Sequence, residues 1–324
     1  MKLQQLRYIV EVLNHNLNVS STAESLFTSQ PGISKQMRML EDELGVQIFA
    51  RSGKHLTEVT AAGKQIIAIA NHILTQVEAI KAVAANYNQP DQGHLNIATT
   101  HTQARYALPP VITAFQQRYP KVTLHMQQVV PEHSGETVAN ADVVITNTNE
   151  VLLSQHDLIM LPAYSCCRSI IVPAEHPLAT LAEVTIGDLG DYPIVSYRQG
   201  FSGRVALDTA FHSAGIKANV VFAATDADVI KAYVKIGLGV GVIATMAYDP
   251  VTDADLVVIP AQHLFSPGTI NIGLRKGAFL RSYMYDFIEA LAPHLSSELV
   301  AQALRCGSQQ QVDALFEGID LPQR

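Results

Sequence analysis

Residues 28–45 read TSQPGISKQMRMLEDELG. Ile33, Met37, Leu40 and Leu44 recur at intervals of four, three and four, one face of an α-helix. Thr28 or Ser29 can cap its start, Pro31 falls in the first turn where a missing N–H costs nothing, and Gly45 ends it. Opposite the apolar stripe lie Ser34, Lys35 and Arg38. Upstream, a short amphipathic stretch, TAESLF (22–27), precedes it by only a few residues. Before that, Leu3, Leu6, Ile9, Val10 and Leu13 form the face of a first helix. Two short helices with a tight connection, the second showing Gln30, Ser34, Lys35 and Arg38 outward, have the layout of a helix-turn-helix. The plainer alternative is an amphipathic hairpin with solvated charges.

The adjoining stretch supports the nucleic-acid reading. VQIFARSGKHLTEVT (46–60) reads as a β-hairpin turning at Ser52–Gly53, with Arg51, Lys54 and His55 near its tip. A basic wing beside a recognition helix can grip phosphates or enter a minor groove. From Thr60 to about Tyr87 the pattern is helical, and Ile66, Ala70, Ile73, Val77, Ile80 and Ala84 form a heptad seam. Such a helix would be about 40 Å long. A lone helix cannot bury that seam, so the expectation is pairing with a second chain, against a helix packed on its own domain.

NQPDQG (88–93) is a hinge of turn-forming residues. Beyond it short strands alternate with helices, which implies α/β architecture in two halves with a cleft between them. The strand LNIAT ends at Thr100 and a helix is expected from about Thr102, so free backbone N–H groups and the side chains of Thr100, Thr102 and Gln103 point at a small anionic or carboxylate-bearing ligand. The plainer reading of Thr102 is a helix cap. A helix terminus offers an anion about 0.3–2 kcal/mol, whereas micromolar binding needs about 8. The facing half must therefore contribute, and Ser202, in the turn after PIVSY, is the first candidate, with Thr148 a second.

The net charge of −7 looks wrong for a DNA-binding protein until the chain is divided. Residues 1–90 carry eight Lys/Arg and seven Asp/Glu; residues 91–324 carry fourteen and twenty-two. The acidity belongs to the second part, and phosphate contacts depend on the local face. No run of eighteen apolar residues and no secretory signal is read, so a cytoplasmic protein without a membrane segment is expected. Three cysteines, Cys166, Cys167 and Cys306, make no disulfide framework. GLGVGV (237–242) follows a helix and precedes a strand, the reverse of a dinucleotide motif. The histidines lack paired metal-ligand spacing, and Asp226 and Asp228 flank a helix start where capping explains them. No cofactor, no metal and no enzymatic machinery are expected. A solute-binding receptor and an α/β enzyme remain the competing classes; only a DNA-binding protein predicts log-linear loss of duplex affinity with salt.

LEDELG (40–45), Phe49–Ala50–Arg51 and Leu56–Thr57 followed by Gly63 together resemble the signature of the LysR family of transcriptional regulators. The resemblance implies a winged helix-turn-helix (1–59), a linker helix for dimerisation (60–88) and an α/β effector domain of two subdomains (89–324), like a periplasmic binding protein. Thr28, Ser29, Gln30, Pro31, Ser34, Lys35 and Arg38 on the helix, with Arg51 and Lys54 on the wing, would then face double-stranded promoter DNA. ATTHTQARYALP (98–109), TDADVIKAYVKIGLGVGVIA (225–244) and FLRSYMYDFI (279–288) are similar to the cysteine-regulon activators of that family. This implies a homotetrameric activator of cysteine-biosynthesis and sulfur-assimilation genes, in reach of RNA polymerase. Acetylserine would be its inducer and sulfate or thiosulfate further ligands, with Thr100, Thr102 and Gln103 lining an anion pocket. The similarity is weakest from Gln128 to His156, which contains Thr148.

Overall fold

The computed structural model describes the chain apart from residues 54, 130–136, 139 and 148–157, so Lys54 and Thr148 lie outside the described residues. The chain divides into two units, Met1–Asn88 with Gly277–Arg281, and Gln89–Lys276 with Ser282–Arg324. The first contains α1 (Leu3–Asn14), α2 (Val19–Ser25), α3 (Gln30–Leu44), β1 (Phe49–Ser52), β2 (His55–Val59) and α4 (Ala61–Asn88). Asn18 caps α2 by accepting from the amides of Ser20 and Ser21. Ser29, rather than Thr28, caps α3 by accepting from Gly32 N at 3.2 Å, and Gly45 closes it in the left-handed region at φ 68°.

Ile9, Val12, Ile33, Met37, Leu40, Ile48 and Phe49 form the core of this unit. Two expected faces need rotating. Leu3, Leu13 and Leu44 are exposed, while Tyr8, Val12 and Glu41 are buried. Glu41 is buried because its carboxylate accepts from the amides of Ile48 and Phe49, at 2.9 and 3.2 Å, and pairs with Arg51. Those amides begin the wing, so the acid satisfies donors that no ladder reaches. β1 and β2 pair antiparallel around Gly53, at φ 60°.

The heptad seam of α4 divides. Ile66, Ala70 and Ile73 pack on the winged-helix core, together with Ile67 and Leu74. Ile69, Ile80, Val83 and Tyr87 are exposed instead. The first half of the seam is therefore a contact within the unit, which corrects the expectation that all of it faces another chain. Helix α4 also meets the length and composition of a membrane-crossing segment, with a mean hydropathy of 1.3 over eighteen residues, although polar and charged residues interrupt it throughout. Its contacts with the core account for Ile66, Ile67, Ala70, Ile73 and Leu74.

The second unit is built on two five-stranded mixed sheets. The first orders its strands β4 (Lys121–Gln128), β3 (Gln92–Thr99), β5 (Val143–Asn147), β12 (Gly268–Arg275) and β6 (Leu158–Cys166). The second orders them β11 (Leu256–Pro260), β7 (Arg168–Pro173), β10 (Val240–Ala244), β8 (Ile194–Tyr197) and β9 (Val220–Ala224). The chain crosses between them twice, at Cys167 and between β11 and β12. On the first sheet α5 (Leu108–Arg118) and α9 (Ser282–Leu291) meet through Phe115 and Phe287, rings edge-on at 5.6 Å. The second sheet carries α6 (Ile186–Gly190), α7 (Ser202–Ser213) and α8 (Ala227–Lys235). Helices α10 (Ser297–Ala303) and α11 (Gln309–Leu315) form the tail. Gly237, at φ 79°, turns α8 toward β10, which gives the glycine run its structural role.

β3 runs parallel to β4 and β5, and β8 parallel to β9 and β10. The residues after the carboxyl ends of β3 and β8 thus come to one crevice, the expected ligand position in α/β sheets.

Candidate functional site

Two sites are built by these elements. On the first unit, Thr28, Ser29, Gln30, Pro31, Lys35 and Arg38 are exposed and Ser34 is half-buried. Gln30 Nε2 donates to Ser34 Oγ at 3.2 Å, one helical turn away. Lys35 and Arg38 have no ionic partner among the described residues, so both charges are open to solvent phosphates. Arg51 differs. Its guanidinium lies 2.6 Å from Glu41 Oε2 on a mostly buried carboxylate. It braces the wing against α3. Phe27, the last residue of the amphipathic stretch TAESLF, stands 98% exposed at φ 50° in the turn before α3. No periodicity marks it, because Leu26 beside it is the residue that packs on the core.

The second site is a cavity of about 730 Å³ between the two halves of the larger unit. Thr100, Thr102, Gln103 and Ser202 all line it, so the structure brings together the four described residues singled out in the sequence. Thr102 makes no side-chain cap bond, which sets aside the capping explanation. The turn it precedes is a π-type segment, Gln103–Ala107, leading into α5. Gln103 is buried, and its Oε1 accepts from the Tyr164 hydroxyl. Nε2 is then the end left to donate, and it has no partner among the described residues.

Across the cavity, Phe201 at the start of α7 provides no side-chain cap, so the first-turn amides there lack one. Gly203 permits this approach. A Cβ there would lie 2.5 Å from the Tyr197 ring. Tyr197 is buried, and burial pushes its phenol well above the ordinary range.

The group sequence reasoning missed is Arg168. It lies on β7 at 6% exposure, lines the cavity, and donates to the carbonyls of Ser266 at 2.7 Å and Ser202 at 3.3 Å. No carboxylate pairs with it among the described residues. Burial lowers its pKa, the mark of a desolvated cation. The signal was an arginine inside the otherwise apolar run SCCRSIIVP, where an unpaired charge is costly unless it serves something. Cys166 also lines the cavity, and burial raises its thiol to about 11, which makes it a neutral wall rather than a nucleophile.

Comparison with known proteins identifies the architecture. Residues 3–64 match the lysR family of bacterial regulatory helix-turn-helix proteins, and residues 88–296 match the LysR substrate binding domain. The chain belongs to the LysR family. It is therefore a DNA-binding transcriptional regulator, and its relatives are regulators rather than enzymes. It is 52% identical to the transcriptional regulator CysB of Haemophilus influenzae over 99% of both chains. The solved cofactor-binding domain of the Cbl transcriptional regulator is 36% identical, covers 66% of this chain and 95% of its own, and superposes with a TM-score of 0.61. A full-length cysteine-to-aspartate variant of OxyR from Pseudomonas aeruginosa shares the fold at 24% identity, over 90% of this chain and 94% of its own, with a TM-score of 0.66.

This LysR-family regulator also gathers His101, Asp226 and Asp228 closely enough for a metal ion, with ligand atoms within 4.8 Å of one another. The surroundings oppose that use. Asp228 accepts from Tyr106 at 2.7 Å, lies 3.2 Å from His101 Nε2, and has Arg105 and Lys231 at 3.6 and 3.4 Å. Asp226 caps α8 as expected. Asp228 does not; it ties α8 to the first half. Desolvation works against its charge, but the bonds from Tyr106 and His101 and the Lys231 ammonium prevail and lower its pKa.

Proposed function

We propose that this LysR-family protein is a cytoplasmic activator of cysteine-biosynthesis and sulfur-assimilation genes whose cavity takes sulfate, thiosulfate or acetylserine. The single observation that supports the ligand class is Arg168, a buried guanidinium without a carboxylate among the described residues, lining the same cavity as Thr100, Thr102 and Gln103. An anion at that point gains a charge-assisted bond of about 1.5–3 kcal/mol, added to what the helix terminus offers. Acetylserine carries a carboxylate and fits the same chemistry. The similarity to CysB and to the Cbl domain, described as cofactor-binding, supports the regulon and the presence of a small ligand.

On the DNA side Gln30, Ser34 and Lys35 read bases, being early on α3. Arg38 and Lys54 contact phosphates, and Thr28, Ser29 and Pro31 lie where the helix start meets the backbone. Two-fold pairing uses the exposed apolar residues of α4, Ile80 of the seam with Ile69, Val83 and Tyr87 beside it, further association through the larger units gives a homotetramer, and promoter-bound protein contacts RNA polymerase. The test is calorimetry of the purified chain with sulfate, thiosulfate and acetylserine, repeated on Thr102→Val. The variant keeps the shape, removes one hydroxyl, and weakens binding by about tenfold (~1.4 kcal/mol). Unchanged affinity for all three would place the site elsewhere.

A further inference from the structure

The tail from His294 onward covers the free edge of the first sheet. β6 is its edge strand, with β12 on one side only. On the other side Gln309 acts as a strand mimic. Its Oε1 accepts from Met160 N and its Nε2 donates to Met160 O, both at 2.8 Å. His294 Nε2 lies 2.8 Å from Pro162 O. Ser165 N then donates to Pro322 O at 2.9 Å, Arg324 N to Ser165 O at 2.8 Å, and Cys167 N to Arg324 O at 2.9 Å. The edge is thus occupied from Met160 up to the crossing point at Cys167.

Blocking an edge against other strands explains part of this. It does not explain Arg324. Its guanidinium carbon sits 4.7 Å from the centroid of the Tyr164 ring, and its Nη2 donates to Leu291 O at 3.1 Å. Tyr164 is fully buried, and its hydroxyl ends on Gln103 Oε1. Gln103 faces the cavity from the other side of that bond. A continuous path of contacts therefore runs from the tail, through one tyrosine, to one cavity donor.

We propose that the tail residues Gln309 and Pro322–Arg324 form a positioning clamp for the ligand cavity: Arg324 fixes Tyr164, and Tyr164 holds the Gln103 amide with its N–H groups toward the ligand. This rests on the cavity being the ligand site. The tyrosine takes the carbonyl end of the amide, so an anion meets donors and not the repelling oxygen. None of the three touches the chemistry of the ligand except Gln103. Tyr164 and Arg324 act through it.

The experiment is calorimetry on the full chain with thiosulfate and acetylserine, for the unmodified protein, Thr102→Val, Tyr164→Phe, Arg324→Met, Gln103→Ala and the Tyr164→Phe/Gln103→Ala pair. Tyr164→Phe keeps the ring and removes one hydrogen bond, and weakens binding about three- to tenfold. Arg324→Met keeps the stem and weakens it about twofold or more. The pair binds no more weakly than Gln103→Ala alone, since the tyrosine acts only through the glutamine. A merely structural role gives multiplying losses in the pair instead, and overturns the proposal. Ligand-free melting and duplex-DNA affinity, unchanged in both single variants, show that the fold survives. Retained affinity in Thr102→Val, or no binding of either probe to the unmodified protein, overturns the ligand-site reading itself. Loss in Thr102→Val with full affinity in Tyr164→Phe or Arg324→Met overturns the clamp alone.

Discussion

Replacing Arg168 by Met separates ligand binding from folding. The change keeps most of the stem volume and removes the charge and its two carbonyl bonds. If an anion bonds the guanidinium, the loss is one charge-assisted hydrogen bond, about 1.5–3 kcal/mol, or about 10- to 150-fold in affinity. The effect on the ligand-free fold runs the other way. Arg168 is desolvated and has no acid partner among the described residues, so removing it relieves a burial penalty. The Ser266 and Ser202 carbonyls lose a donor, but both residues border the cavity, where water can replace it. The two contributions nearly cancel, and ligand-free stability stays within about 1 kcal/mol of the unmodified chain. Calorimetry gives the affinity, and thermal unfolding with and without thiosulfate gives both contributions at once. Saturating ligand at about a hundred times its Kd raises the unfolding free energy by about 2.7 kcal/mol, and that gain shrinks in the variant. An Arg168→Met protein that binds thiosulfate and acetylserine as before, or that loses binding only together with its melting transition, would contradict an anion-binding role for this guanidinium.

Gln30→Ala relaxes base preference at one position, by about 1–3 kcal/mol for the preferred base, and an unchanged consensus in selection from random duplexes would remove Gln30 from the readers. Glu41→Ala leaves the amides of Ile48 and Phe49 and the Arg51 charge without their acceptor, and lowers the stability of the winged unit by about 3 kcal/mol in denaturant unfolding; a loss under about 1 kcal/mol would mean that the brace is dispensable. Ile80→Asp, at a site 71% exposed, leaves the protomer folded but halves the assembled mass in sedimentation; unchanged mass would move pairing off the exposed seam. Asp253→Asn takes from the buried Lys231 ammonium its nearest acid, 2.8 Å away, and leaves it Asp228 at 3.4 Å and the Ala247 carbonyl, so the cost at neutral pH is about 1–3 kcal/mol, below that of a fully unpaired buried charge. The folded pKa of Asp253 is lowered, against desolvation, by Lys231, so its contribution is present above about pH 4 and lost as pH falls through the folded value. The variant therefore flattens stability against pH on the acid side, and an undiminished acid slope would assign that loss to other carboxylates.

The winged helix was legible because its signals are local. Helix α3 shows its stripe, its cap and its stop within a single short stretch, and β1–β2 turn at a glycine that takes φ 60°. What was misread there depends on neighbours. Leu44 fits the helical period but lies past the last element that could cover it, and Glu41 breaks the period because the wing's amides need an acceptor. The α4 seam failed in the same way. A heptad pattern says that residues will be buried, not by what, and the winged-helix core covers Ile66, Ala70 and Ile73 before any second chain can. In the cavity, Thr100, Thr102 and Gln103 were found because a strand end followed by a helix is a local feature, and Ser202 because it follows β8 in the same manner. Arg168 and Tyr164 were not, since each matters through residues distant in the chain, brought near by a crossing that no window spans. Tyr164 in particular reads as one more apolar residue of a buried strand until its hydroxyl is traced.

The cavity's donors are divided between the two halves. Thr100, Thr102 and Gln103 follow β3 of the first sheet, while Arg168 and Ser202 belong to the second. A ligand that touched only one half could not bias their arrangement, because a ligand shifts an equilibrium only by its differential affinity for the two states. An anion bonded to Arg168 and to the threonines contacts both. The halves are also tied beside the cavity by Asp228, which takes Tyr106 and His101 from the first half and Lys231 from its own helix. His101 belongs to both features, since it also lines the cavity. The cavity and Asp228 thus meet the same short segment, His101–Tyr106. That segment contains the π-type turn, a departure from regular helix that frequently marks functional sites. One short stretch of chain thus lines the cavity with Thr102 and Gln103 and, through Tyr106, donates to Asp228.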